Sequence, residues 1–75
     1  MFYVGFLKKN QKIENLYGTE VQLLVNDLKT VRGVIARYKE KFESLKNFRN
    51  VERMEIYRYG NVYDEHSYHL MATIY

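Results

Sequence analysis

Between residues 21 and 45, apolar side chains recur at Val21, Leu24, Leu28, Val31, Ile35, Tyr38, Phe42 and Leu45, with spacings that alternate between three and four. A strand turns successive side chains to opposite faces and cannot collect these on one side, whereas a helix lines them up along one stripe. The spacing predicts a single amphipathic helix over residues 19–45, about 40 Å long at roughly 1.5 Å per residue. Thr19-Glu20-Val21-Gln22 has the form of a capping box: the Thr19 hydroxyl accepts from the backbone three residues on, and Gln22 reaches back. Asn47 and Asn50 are candidate stop residues, because Asn tolerates the left-handed turn that ends helices. Gly33 falls mid-helix in this reading and costs about 1 kcal/mol relative to Ala, as a bend or a break would.

The stripe also has the form of a coiled-coil seam, with Val21, Leu28, Ile35 and Phe42 at a and Leu24, Val31, Tyr38 and Leu45 at d. In a parallel homodimer the flanking positions would set Asp27 against Arg32, which attracts, but Lys41 against Lys46, which repels. Val25 and Val34 widen the stripe beyond a two-position seam, which favours packing on a sheet. Leu23 lies off the stripe and would be exposed in a monomer.

On either side of the helix the pattern changes to period two. Phe2, Val4 and Phe6 alternate with Tyr3, Gly5 and Leu7, a strand with aromatic and β-branched residues. Residues 8–12 form a polar turn, and residues 13–17 are a candidate returning strand. Over residues 51–59, Met54 and Ile56 take one face and Arg53, Glu55, Tyr57 and Tyr59 the other. Gly60-Asn61 is a turn dipeptide. Over residues 66–75, Tyr68, Leu70, Ala72 and Ile74 share one side, with Ser67, His69, Met71, Thr73 and Tyr75 on the other. The expected fold class is α+β: one long helix packed on a small antiparallel sheet, in β(β)αββ order. If residues 13–17 pair, the order resembles a β-grasp arrangement, a likeness of pattern that carries no function.

At 75 residues the chain is expected to form a single domain, 1–75. A core this small gains from a staple, and with no cysteine the staple cannot be a disulfide. A homo-oligomer is the expected substitute. No apolar run is long enough to span a bilayer, and the segment at residues 1–9 has its apolar part before its charge, the reverse of a secretory signal. The expectation is a cytoplasmic protein without a membrane anchor.

The net charge of +3 is unevenly spread. Residues 32–49 carry Arg32, Arg37, Lys39, Lys41, Lys46 and Arg49 against Glu40 and Glu43, whereas residues 50–75 are net acidic. Such a field steers a charged partner.

Catalysis is not expected. Nucleophilic chemistry needs an activated nucleophile beside a base, and Ser44 and Ser67 sit in no such motif. Asp64-Glu65 are adjacent and diverge. The four glycines are scattered, which does not make a phosphate loop. His66 and His69 have metal-ligand side chains, but on a strand they point to opposite faces. No metal or cofactor is therefore expected.

Eight tyrosines with no tryptophan are the unusual feature of the composition. Tyr57, Tyr59, Tyr63 and Tyr75 are expected on or near the sheet face away from the helix, beside Arg53, His69 and Met71. Tyrosine with arginine is the composition of protein-binding hot spots. Tyr57, Tyr59, Tyr63, Arg53 and Arg58 are the candidate partner-binding residues of a non-catalytic module that inhibits or regulates another protein. In size and composition the chain resembles the compact single-domain proteins of phages and other mobile elements, some of which block host defences. That resemblance implies work in the host cytoplasm. The alternative is a binder of an anionic nucleotide or nucleic acid, through Arg32, Arg37, Lys39 and Lys41 on the helix and stacking tyrosines.

Overall fold

A computed structural model describes residues 1–16, 21–61 and 64–75, with side chains for all of these but 59–61 and 64–67. The elements are β1 (Phe2–Lys8), a 3₁₀ turn η1 (Ile13–Asn15), β2 (Gln22–Val25), α1 (Val31–Arg49), β3 (Val51–Asn61) and β4 (Asp64–Ile74). The strands form one antiparallel sheet in the order β2-β1-β3-β4, with α1 against one face. The α+β class and the strand-strand-helix-strand-strand order are as expected.

The expected helix of residues 19–45 is corrected at both ends. Thr19 lies outside the described residues, but the segment after it is not helical: Gln22–Val25 is a strand paired with β1. It places Leu23 and Val25 toward α1, with Val25 buried and Leu23 packed against the core, while Leu24 points away and is 63% exposed. Leu23 is thus not the exposed residue, and Leu24 is.

The helix starts eleven residues later than 19 would have it, at a different cap. Thr30 is extended, and its hydroxyl accepts from the Gly33 N–H at 3.0 Å. Gly33 accordingly stands in the first helical turn and neither bends nor breaks the helix. At the other end Asn50 takes the left-handed conformation (φ 58°), and its N–H donates to the Leu45 carbonyl. Lys46 and Arg49 in the last turn complement the helix dipole.

From Val31 onward the stripe behaves as expected. Val34 and Phe42 are buried, and Val31, Ile35, Tyr38 and Leu45 pack around them on Phe2, Val4 and Phe6 of β1 and Met54 and Ile56 of β3. The Phe42 ring stacks on Phe6 at 6.4 Å, and Tyr38 meets Phe6 edge-on at 6.5 Å.

The hairpin strands run longer than their patterns. Asn61 pairs with Asp64, so Gly60-Asn61 is strand, not turn, and Val62 and Tyr63 lie outside the described residues. Nor do residues 13–16 pair in the sheet. Residues 13–15 form η1, which folds over the face of β1 opposite the helix and buries Ile13 and Leu16 on Leu7. Tyr17 lies outside the described residues. The β-grasp likeness therefore fails: β1 is flanked by β2 and β3, both antiparallel to it.

Candidate interaction face

The sheet has an inner face under α1 and an outer face that η1 covers only in part. Register decides what the outer face displays. Tyr3 of β1 stands opposite Leu24 of β2 on one side and Tyr57 of β3 on the other. Tyr57 in turn stands opposite Leu70 of β4. Opposed residues of antiparallel strands share a face, so Leu24, Tyr3, Tyr57 and Leu70 form one row across all four strands. With neighbouring strands about 4.8 Å apart, the row is roughly 14 Å long.

Tyr68 adds a second layer, its ring 5.2 Å from Tyr57 and 6.4 Å from Tyr3. Leu24 and Leu70 are 63% and 53% exposed, and Tyr68 is 38% exposed. Isolated exposed leucines are ordinary, but a contiguous aromatic and aliphatic row is a candidate interaction surface, with Leu24 and Leu70 exposed at its ends and Tyr3 and Tyr57 half-buried against the η1 cluster between them.

A bulge makes this row. Ile56 pairs with Ala72, but Tyr57 pairs with Leu70, so Met71 is an extra residue in β4. Beyond it the alternation inverts. Ala72 and Ile74 pack toward the inner core, while Leu70 and Tyr68 share the outer face with Tyr57. The expectation that Tyr68, Leu70, Ala72 and Ile74 share a side is corrected accordingly. His69, opposite Arg58, falls on the inner side rather than beside Arg53.

Several polar groups of the outer face are tied to one another. Arg53 donates from Nε to Glu55 at 2.7 Å, from Nη1 to the Lys8 carbonyl and Glu52 at 3.2 Å each, and from Nη2 to the Gln11 carbonyl. It pins the turn after β1 to β3. The other Glu55 oxygen accepts from the Tyr57 hydroxyl at 2.6 Å. Tyr3 donates its hydroxyl to Gln22 Oε1. Burial pushes the Tyr57 phenol well up, reinforced by the bond to Glu55 and by the charges of Glu55 and Glu14. Burial also raises Tyr3, with Tyr68 adding to it. Both rings are therefore held as neutral phenols, their hydroxyls anchored and their rings half-buried between the η1 cluster and Tyr68.

Of the sequence-predicted partner residues, Tyr57 and Arg53 share this outer face, Tyr57 in the row and Arg53 as its structural clamp. Arg58 falls on the inner side, exposed, with its guanidinium 5.8 Å above the Phe2 ring. Tyr63 and the Tyr59 side chain lie outside the described residues. Sequence reasoning missed Tyr3, Leu24, Tyr68 and Leu70 as members of one surface. Strand order unites them, and no local spacing reports strand order.

The basic helix residues do not form one cluster. Arg32 and Lys39, seven positions and about two turns apart, share one flank of α1. Arg37 and Lys41 lie on the other flank. Arg37 is held in a two-point pair with Asp27 at 2.8 Å, and Lys41 rests its ammonium 5.7 Å from the Phe6 ring. All four lie on the helix side of the sheet, away from Tyr3, Tyr57 and Tyr68.

Among the described residues, no group of three or more His, Cys, Asp or Glu is placed to hold a metal ion, and the His66 side chain lies outside them. No helix among them is long and apolar enough to cross a membrane. Comparison with protein-family models, with curated proteins and with solved structures gives no match.

Proposed function

We propose that this chain is a non-catalytic protein-binding module that docks through the outer face of its sheet and inhibits or regulates a larger partner. The observation that carries this reading is the in-register row Leu24–Tyr3–Tyr57–Leu70, capped by Tyr68, on a face that η1 leaves half open. Rigid aromatic rings with anchored hydroxyls give contact area at little entropic cost, as binding hot spots do. Small mobile-element proteins that act in a host cytoplasm are the setting this fits. Site-specific photocrosslinking tests it. A photoreactive side chain at position 24 or 70 should give a discrete adduct that excess unlabelled protein competes away. The same group at Ala36 or Glu40, on the outer surface of α1, should give none; adducts only from the helix positions would refute the reading.

Self-association has its own support. β4 is an eleven-residue edge strand, and residues 68–75 contain no formally charged residue at neutral pH, no proline and no glycine. Long edges without charge or proline are pairing sites, and the bulge at Met71 leaves two short segments of this edge, residues 68–70 and 72–74, to pair. A second copy of β4 is the proposed neighbour, and sedimentation across a concentration series should reveal a dimer that Met71→Lys weakens.

An anionic nucleotide or nucleic acid is the second reading. Its cations lie across the sheet from Tyr3, Tyr57 and Tyr68, so Arg32 and Lys39 would have to act without those three rings. A thermal-shift panel of nucleotides checks it, because a ligand that binds only the folded state raises the melting temperature.

A further inference from the structure

We infer that the outer face contains a pocket for the cationic side chain of an arginine or lysine presented by the partner. This rests on the protein-binding reading above and names the chemistry of its anchor. Tyr3, Ile13, Glu14, Leu16, Gln22 and Tyr68 enclose a groove of about 290 Å³ where η1 meets the open half of the sheet. That is at the lower end of the roughly 300 to 1,000 Å³ of small-molecule sites, room for one long side chain.

Its lining selects for positive charge. The Tyr3 and Tyr68 rings stand 6.4 Å apart and 49° from parallel, and aromatic faces attract cations. Glu14 is exposed at the groove and makes no ion pair or hydrogen bond among the described residues. Gln22 Oε1 is occupied by the Tyr3 hydroxyl. Among the described residues, no lysine, arginine or histidine lines the groove. Arg53, a cation on this face, is already held by Glu52, Glu55 and two backbone carbonyls. Ile13 and Leu16 supply apolar wall for the methylene stem that lysine and arginine bury while the charged head seeks a polar partner. An anionic ligand would meet a carboxylate and two electron-rich ring faces. Arginine is the better fit of the two cations, because its planar guanidinium can stack on a ring and bind a carboxylate at two points.

The test is an NMR titration of the whole protein with N-acetyl-arginine amide, with the neutral norleucine and the acidic glutamate analogues as controls. The arginine probe should give saturable shifts at Tyr3, Glu14 and Tyr68, and the controls should not. Glu14→Gln and Tyr68→Leu should each weaken the probe by about three- to tenfold, while Tyr68→Phe should retain most of the binding. Leu70→Ser lies outside the groove and should leave the probe unaffected while reducing the photocrosslinked adduct, which separates failure of the pocket from failure of the docking face. Equal shifts with the norleucine probe, no shift with arginine, or full affinity in Glu14→Gln would each overturn the assignment.

Discussion

Gly5 lies directly beneath Ile13: a methyl group at position 5 would clash with the Ile13 Cδ1 and come within 3.0 Å of the Leu16 Cδ1. The absence of a side chain on this central strand lets η1 sit down on the outer face and bury Leu7, and so sets where the open half of the face begins. Gly5→Ala should therefore overpack a closed cluster and destabilise the fold by about 1–3 kcal/mol. Urea unfolding reads this as a lower midpoint with an unchanged slope. Wild-type stability in the variant would mean that η1 is not firmly seated. The exposed Asn15→Ala should be near neutral by comparison.

Arg53 joins three stretches of chain through one guanidinium, and its side chain is only 14% exposed. Lysine keeps the charge but offers a single point of donation, so it cannot serve Glu55, Glu52, the Lys8 carbonyl and the Gln11 carbonyl together. Arg53→Lys should lose about 1–2 kcal/mol. Hydrogen exchange should place the damage, with amides of the turn after β1 exchanging faster and those of α1 much less affected. Uniform acceleration over the whole chain would instead show that the clamp acts globally.

The helix illustrates what local sequence reports and what it does not. From Val31 to Leu45 the stripe was readable because burial on a sheet imposes the helical period directly. Upstream, Val21, Leu24 and Leu28 continue the three-four spacing by coincidence. Leu23, which lies off the helical stripe, and Val25, which only widens it, are the two residues that β2 turns inward. With Val21 they alternate at period two, and Asn26-Asp27 before Thr30 is turn chemistry. That combination was the available signal for a strand, a connection and a later cap. The outer row was legible in part, since period two already put Tyr57 outward. Its remaining members required strand order and the bulge at Met71, and both arise from pairing between distant segments.

Thr30 caps α1, so its loss should be felt in the first turn after Val31 rather than at residues 19–22. Thr30→Ala removes the bond to the Gly33 N–H and should lower stability by about 1 kcal/mol, whereas Thr30→Asp should hold it, because aspartate caps as well. Circular dichroism should show a small loss of helix in the alanine variant, and amide exchange should localise fraying to the first turn. A neutral Thr30→Ala would argue against helix initiation at Val31.

The phenol of Tyr57 gives the fold a dependence on alkaline pH whose sign follows from its surroundings. Burial raises its folded-state pKa, as do the bond to Glu55 and the negative charges nearby, whereas in the unfolded chain it titrates near the ordinary value of about 10. Between those two values the unfolded state releases the proton more readily than the folded state, so stability falls as pH rises through this window. Below about pH 10 the contribution is complete. Tyr57→Phe cannot ionise and should show a flatter alkaline limb in denaturation midpoints measured from neutral pH upward. The same variant should remove one late-titrating component from the ultraviolet phenolate signal, provided the spectra are followed before the chain unfolds. An identical alkaline limb in the two proteins would mean that Tyr57 ionises as freely in the fold as outside it, and that the Glu55–Tyr57 bond does not hold the ring in place.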